Sequence, residues 1–448
     1  MLADWRGRLG LDSREKRAWA LYDWANSAFV CTIVTAVFPI YFQEVLAAGL
    51  PAAVTTWRYA AATALALGVV AVAGPVLGAW ADARGARKRL LAAAVGVGCA
   101  ATLGLSWAGP GEWREGLVLF VVANAAWAAS LVFYDALLPH VAAVGREADR
   151  VSSAGYATGY LGGGLLLVIQ LAWILRPATF GLADAAAASR LAFASVAVWW
   201  LAFSIPLWLR VREPPATGGR ASSAAVRGPF ARLAQTLGAL RGHRQAFLLL
   251  LAVLIYNDGI STVYRMAVFY GREVGLPRAA LIGAVVLVQF LGVPCAFLFG
   301  HLAGRIGARP AIFLGLAIYA GATLYATFLD SVADFFVLAV LIALVQGGTQ
   351  ALSRSLFARL VPRPRSAEFF GFYALAERAA GILGPAVFAA VVAATGQTRL
   401  AVLAVLGFFV AGAAVLARVD VDAGERAARA AETGAPFAGA GPPLAGRA

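Results

Sequence analysis

Long apolar segments recur along the whole chain, and they constrain its fold more than any other feature. Each of the twelve that we identify has about the 20 residues that a helix needs to cross a bilayer core. Their approximate spans are 18–42, 57–81, 90–108, 116–138, 153–175, 190–209, 245–270, 279–302, 310–329, 333–357, 367–393 and 400–417. The segments are continuous and lack the alternation of outer-membrane barrel strands. We therefore predict an all-α membrane protein.

The scarcity of charge supports this prediction. Of the 448 residues, 61% are hydrophobic and 13% are charged. Soluble chains are about half apolar and a quarter charged, so a soluble enzyme, a disordered chain and a disulfide-rich secreted domain are excluded. The 3 His are not spaced as metal ligands and the 3 Cys lie in apolar runs. We expect no metal site and no cofactor.

The distribution of Lys and Arg predicts the orientation in the membrane. With twelve spans both termini lie on one side, and that side carries 27 of the 37 basic residues, against 7 on the other. Cytoplasmic loops are enriched in Lys and Arg, so we predict cytoplasmic termini in a bacterial inner membrane. The net charge of +14 then reflects loops facing anionic lipid. No basic stretch carries base-stacking aromatic residues, so we expect no nucleic-acid partner.

A polar connection divides the chain in two. Residues 210–244 are rich in Pro, Gly and Ser and predict a flexible cytoplasmic linker. It separates an N-terminal six-helix half, residues 1–209, from a C-terminal half, residues 245–420. Residues 421–448 are mostly Ala, Gly, Pro and Arg, which predicts a disordered cytoplasmic tail.

An internal repeat supports the same division. The sequence GAWADARGAR at residues 78–87 recurs as GHLAGRIGAR at residues 300–309, an offset of 222. The same offset relates Gly159 to Gly381 and Gly162 to Gly384. Two similar six-helix halves are a feature of one large class of secondary transporters. We predict two pseudo-symmetric halves of this kind.

The first copy of the repeat belongs to a longer loop, residues 78–89, which we call the latch loop. Gly78 permits close helix packing, Gly85 a tight turn, and Asp82 can meet a helix N-terminus or an arginine. A basic cluster that includes Arg87 and Arg89 follows. The pattern resembles the loop 2–3 signature of the major facilitator superfamily, which implies that fold and a cytoplasmic latch stabilising the outward-facing state. An ordinary basic cytoplasmic loop is the alternative.

Five further motifs resemble a narrower branch, the vacuole effluxers of that superfamily. They are YDWANS at 22–27, FYDALLP at 133–139, GYATGYLGGG at 155–164, QGGTQALSRS at 346–355 and EFFGFY at 368–373. Fungal members of the branch are linked to autophagy and amino-acid release from the vacuole. The resemblance therefore implies transport of a small polar solute, with amino-acid export as the leading expectation.

Ionisable and polar groups inside the predicted spans are the candidate site residues. A charge at membrane depth costs about 2.5–3.5 kcal/mol on insertion scales and needs a partner or a wet cavity. Candidates for substrate or ion coupling are Asp23, Asn26, Tyr256, Asn257, Asp258, Ser261, Arg265, Gln346, Gln350, Arg354, Glu377 and Arg378. The predicted gating residues are those of the latch loop together with Asp135 and Glu368, which lie near cytoplasmic helix ends.

Several of these assignments have structural alternatives. Asp258 lies about 20 Å into helix 7 and could bind substrate or a coupling ion, or form a structural pair. Asp23 could couple protons or form a gate salt bridge. Gln346, Gln350 and Arg354 recur every four residues, so they form one polar stripe that is costly to expose to lipid. The second repeat has Gly304 where Asp82 stands in the first, so its charge latch is weaker.

Together these features predict a monomeric secondary active transporter working by alternating access in the lipid bilayer. Protons are the candidate coupling ion, through Asp23, Asp258 or Glu377. The alternatives are a membrane sensor or scaffold with the same fold and, less favoured, an intramembrane enzyme. The enzyme would need a convergent nucleophile and base, and no such motif is present. No phosphate-binding loop is present either, which disfavours ATP-driven transport.

Overall fold

The computed structural model describes residue 7 and residues 9–216, 242–273, 275–381 and 383–433. Within these ranges the regular structure is entirely helical. This agrees with the predicted all-α architecture.

The first half contains six long helices. They are α1 (Arg14–Phe29), α2 (Ala52–Arg84), α3 (Arg87–Gly104), α4 (Trp113–Val141), α5 (Arg146–Leu175) and α6 (Ala185–Arg210). The span that begins with α1 continues through π-helical turns at Val30–Ala36 and Phe42–Leu46, on either side of a short helix at Phe38–Tyr41. Pro39 lies in that short helix and cannot donate a backbone hydrogen bond, so the regular ladder is interrupted there.

The second half follows the same order with one helix divided. Its elements are α7 (Arg244–Glu273), α8 (Arg278–Ile306), α9 (Ala308–Ala326), α10 (Val332–Leu360), α11 (Ser366–Ala379), α12 (Leu383–Thr395) and α13 (Thr398–Leu416), followed by α14 (Val421–Thr433). In the described residues, 11 helical segments are long and apolar enough to span a membrane. Helix α3 is the remaining predicted span. Its first residues are Arg87, Lys88 and Arg89, which lower its apolar content.

The eleventh span, predicted as one helix over 367–393, is broken between α11 and α12. Gly381 adopts a φ of +95° there, a conformation that favours glycine. Asp258 of α7 accepts backbone N–H bonds from Gly381, Leu383 and Gly384 at 2.8–3.1 Å. The carboxylate thus caps the start of α12, where the helix dipole favours negative charge.

The C-terminal segment differs from the prediction of a disordered tail over 421–448. Val421–Thr433 forms helix α14, and Gly424 and Ala428 are buried on one face. A Cβ at Gly424 would lie 2.4 Å from the Leu360 side chain, so glycine permits this close contact. Burial of one face gives this polar sequence a reason to fold. Residues 434–448 lie outside the described residues.

The predicted linker, 210–244, is described only at its two ends. The residues that follow α6 pass over the latch loop, where Glu213 Oε2 accepts the Lys88 N–H at 2.9 Å. Burial raises the pKa of the Glu213 carboxyl. Gly85 ends α2 with a φ of +59°, which allows the tight turn that the sequence predicts. Residues 217–241 lie outside the described residues.

Candidate functional site

The contacts that join the two halves concentrate at one end of the bundle. We call it the terminal face, because α1 begins and α13 ends there. Of the described hydrogen bonds between the halves, all but the Gln289–Cys31 contact lie near this face. The candidate site therefore extends from the terminal face inward.

The latch loop docks on the N-terminus of α11. Asp82 accepts N–H bonds from Ala367 at 3.1 Å and Glu368 at 2.9 Å. Its carboxylate also receives the Arg87 guanidinium at 2.6 Å. Both side chains are almost fully buried, so each charge depends on the other. Asp82 thus meets both a helix N-terminus and an arginine, the two kinds of partner that the sequence predicts for it.

Glycine permits the close crossing of α2 and α11 behind this contact. A Cβ at Gly78 would lie 2.1 Å from the Ala367 carbonyl oxygen. A Cβ at Gly371 would lie 2.5 Å from the Pro75 nitrogen. Both distances are far below van der Waals contact, and the obstacle in each case is backbone. The sequence of the latch loop therefore fixes the distance between the halves as well as their charge contacts.

Arg354 of α10 forms the largest polar network between the halves. Its Nη1 donates to Asp135 of α4 at 3.0 Å, and its Nη2 donates to Asp23 of α1 at 3.1 Å. Its Nε donates to the Ser152 hydroxyl of α5 at 2.9 Å. Arg354 is only 3% exposed. One buried cation thus joins three helices of the opposite half.

Aromatic rings and one glycine complete the surroundings of Arg354. The guanidinium lies 4.8 Å from the Trp19 ring centroid and 4.6 Å from that of Tyr156, within cation–π range. The Tyr134 hydroxyl donates to Asp23 at 2.9 Å. A Cβ at Gly155 would lie 2.3 Å from Asp23 Oδ2 and 3.0 Å from Arg354 Nη2. Glycine at this position leaves room for the ion pair.

A second ion pair between the halves lies nearer the surface. Asp149 of α5 is fully buried and pairs with Arg359 of α10. Asp149 also accepts a hydrogen bond from the Ser355 hydroxyl at 2.7 Å. The sequence does not mark these residues as site candidates, because the predicted spans start after Asp149 and end before Arg359. The helices extend past both residues, so charges assigned to loops are buried at helix ends.

A further polar group lies between α1, α4 and α11. The Arg378 guanidinium lies 4.1 Å from the Trp127 ring centroid. The Trp127 indole N–H donates to Asn26 Oδ1 at 3.4 Å. Among the described residues, the buried Nε of Arg378 has no hydrogen-bond partner. Arg378 is thus held by an aromatic ring and retains an unused donor, and Glu377 precedes it in α11.

The other predicted site residues lie either in contacts within one half or at more exposed positions. Tyr256 bonds Ser353 at 2.5 Å within the second half, and Glu368 pairs with Arg365 at 2.8 Å. The buried oxygens of Asn257 and Gln346 have no described partner. The remaining positions are half-buried Ser261 and Gln350, exposed Arg89, and Arg265, whose side chain lies outside the described ones.

Comparison with known proteins identifies the family. The profile of the family described as "Vacuole effluxer Atg22 like" matches residues 53–429. The MFS-type transporter YxiO of Bacillus subtilis is 35% identical over 91% of this chain and 95% of its own length. Autophagy-related protein 22-1 of Penicillium rubens is 28% identical over 63% of this chain, which spans half of that relative's length.

Solved structures give the same fold. The MFS proton:xylose symporter XylE, bound to 6-bromo-6-deoxy-D-glucose, superposes with a TM-score of 0.67 at 14% identity. The superposition covers 90% of this chain and 95% of that one. The chain is therefore a transporter of the major facilitator fold rather than an enzyme, and it belongs to the Atg22-like vacuole effluxer family.

Proposed function

We propose that this protein exports a small, amino-acid-like solute across a bacterial inner membrane by alternating access. The Arg354 network carries the proposal. It joins the halves through buried charges that a separation of the halves would expose to water, as a gate that opens and closes requires. A merely structural bundle has less use for such costly contacts, because apolar residues hold helices together at lower cost.

The orientation follows from charge. Most Lys and Arg residues belong to the segments that the sequence assigns to the side of the termini, and loops of this kind remain in the cytoplasm. The closed gate at the terminal face therefore corresponds to an outward-facing state, in which solute exchanges with the opposite side. Opening of the Arg354 network would admit solute from the cytoplasm.

Arg378 and Glu377 support a zwitterionic solute. An α-amino acid presents a carboxylate and an ammonium group a short distance apart, and these two side chains provide the complementary charges. The Arg378 guanidinium is held over Trp127 with an unused donor, which suits a carboxylate. Glu377 would receive the ammonium group and, in the absence of solute, a proton.

We assign proton coupling to Glu377 rather than to Asp258. The three N–H bonds that Asp258 accepts at the start of α12 give its carboxylate a structural role. We therefore expect Asp258→Asn to reduce stability, and Glu377→Gln to abolish solute accumulation driven by a proton gradient. Glu377→Gln should also slow solute exchange, because the amide lacks the negative charge that we assign to the ammonium group.

Counterflow in proteoliposomes tests the proposal. Vesicles loaded with a mixture of L-amino acids should accumulate a labelled L-amino acid transiently, and Arg378→Gln should reduce the initial rate at least tenfold. Arg399→Gln is the matched control, since Arg399 is 56% exposed in a pair with Asp330. A ligand-induced thermal shift without counterflow would instead favour a sensor of the same fold.

A further inference from the structure

A cavity opens at the terminal face, beside the Asp149–Arg359 ion pair that joins the halves. Its volume is about 580 Å³, and α8, α9, α10 and α14 form its walls. Its lining includes Arg309, Phe313, Leu356, Arg359, Val421 and Asp422. The helix that the sequence does not predict, α14, supplies one wall.

Two arginines at the cavity retain unused donors beside the partners that they already have. The Nε atoms of Arg309 and Arg359 are buried, and neither has a hydrogen-bond partner among the residues that the structure describes. The Arg309 Nη2 is engaged by the Ala417 carbonyl oxygen at 2.5 Å, which fixes the side chain in place. Helix α9 begins in the wall, and its first N–H groups have no partner within their own helix. These donors and the helix dipole favour an anion.

The same cavity has an apolar side. Phe313, Leu356 and Val421 line it next to the two arginines. It lies where α8 ends and α9 begins, at the level at which the membrane-spanning helices meet their polar loops. A soluble anion would gain nothing from these apolar side chains, whereas a lipid has both a phosphate and a glycerol backbone with its first acyl carbons.

Exposed Asp422 also lines the cavity and limits the charge of the ligand. Arg359 already faces Asp149 and Glu425, so together with Asp422 the cavity disfavours groups that carry several negative charges. A phosphodiester with one negative charge fits this balance. We propose that the cavity binds the phosphate of an anionic phospholipid, with the glycerol and proximal acyl chain against the apolar wall. Basic pockets between helices at the cytoplasmic surface bind lipid headgroups in this manner.

The site is close to the gate. Arg359 lines the cavity and also pairs with Asp149 across the two halves. A bound lipid phosphate would hold the Arg359 side chain and influence that ion pair. Lipid bound here would therefore stabilise the closed terminal face.

Titration of the full chain in neutral detergent tests the site. Dioctanoyl phosphatidylglycerol should raise the melting temperature saturably, and dioctanoyl phosphatidylcholine should not. Arg309→Gln should weaken the apparent affinity roughly tenfold, the loss expected for one charge-assisted hydrogen bond. Arg305→Gln is the matched control, because Arg305 is exposed four residues away and does not line the cavity.

Three outcomes would overturn the proposal. Equal affinity for phosphatidylglycerol in the wild type and Arg309→Gln would remove Arg309 from the site. An equal loss in Arg305→Gln would show attraction to general surface charge. A shift of the same size with glycerol 1-phosphate would identify a soluble-anion site. Arg309→Lys covers the case in which Arg309→Gln does not fold, and it should lose affinity because it cannot donate through two nitrogens.

Discussion

The two copies of the internal repeat pack alike and differ in charge. In the first, Gly78 lies against the Ala367 backbone, and Asp82 caps α11 while pairing with Arg87. In the second, Gly300 lies against Ser153 of α5, and Gly304 occupies the position equivalent to Asp82. The Arg150 guanidinium approaches Gly304, and its buried Nε has no partner among the described residues. Both copies of the repeat thus pack closely, but only the first copy has the carboxylate.

The second half supplies its charged contacts from α10 and not from its copy of the repeat. Its cations for the contact between halves are Arg354 and Arg359, both on α10, and their partners lie on α1, α4 and α5. The gate therefore combines one carboxylate latch from the first half with two arginines from the second. Substitution of the first half's carboxylate and of the second half's arginines should therefore have unequal effects on stability.

Removal of the Arg354 charge should have the largest effect. Arg354→Gln leaves Asp23 and Asp135 buried near each other without a cation, and breaking a buried pair costs about 3–5 kcal/mol. We expect a large fall in melting temperature or a shift to the open terminal face. Arg399→Gln, which breaks the exposed pair with Asp330, should cost less than about 1 kcal/mol. Equal melting temperatures for the two variants, with the terminal face still closed in Arg354→Gln, would contradict this assignment.

Loss of the Asp82 charge should come next. Asp82→Asn keeps an oxygen that can accept one N–H from α11 but leaves the buried Arg87 without its counter-ion. A hydrogen bond to a charged group contributes about 1.5–3 kcal/mol, and we expect a loss of that size in thermal or denaturant unfolding. The control is Asp330→Asn, because the Asp330 side chain is 73% exposed. An effect at Asp82 no larger than at Asp330 would argue against the latch.

Substitution of Gly78 or Gly300 by alanine should lower the stability of the protein by a smaller amount. Overpacking costs typically about 1–3 kcal/mol. Gly78→Ala should lie at the upper end, because the obstacle is the Ala367 backbone, and Gly300→Ala at the lower end, because the obstacle is the Ser153 side chain. Melting temperatures of both variants check the order. The reverse order would show that the crossings are not packed as described.

Restoring the missing carboxylate should have the smallest effect, and a stabilising one. A Cβ at Gly304 would lie 3.5 Å from Arg150 Nη2, an ordinary contact distance, so Gly304→Asp has room. A partly exposed ion pair contributes up to about 1 kcal/mol. We expect a small rise in melting temperature that disappears in the Gly304→Asp, Arg150→Gln double variant. Gly304→Asn is the uncharged control and should lack the rise.

The sequence predicts the fold and the turn and close packing of the latch loop, because these depend on local patterns, while its role as a latch stays a prediction. Apolar length defines the spans, and the spacing of Gly78, Asp82 and Gly85 is readable within about two turns. The sequence does not predict that Arg354 pairs with Asp23 and Asp135, since the partners are hundreds of residues apart and no local pattern records the pairing. It assigns Arg354 to a polar stripe with Gln346 and Gln350 instead.

The division of the eleventh span is a similar case. Gly381 indicates a flexible point, but the cap that fixes the break comes from Asp258 on another helix. The helix α14 was missed for a different reason. Its sequence is polar and rich in alanine, and its folding depends on burial against α7 and α10, which no local pattern shows.

The central claim is that the buried charges of the Arg354 network close the terminal face in one of two interconverting states. Spin labels at Arg146 and Arg305, both exposed on this face in opposite halves, report the separation of the halves by electron double resonance in a cysteine-free background. The account predicts mainly a short distance in the wild type and a dominant longer one in Arg354→Gln. An identical distance distribution in a folded Arg354→Gln variant would contradict it.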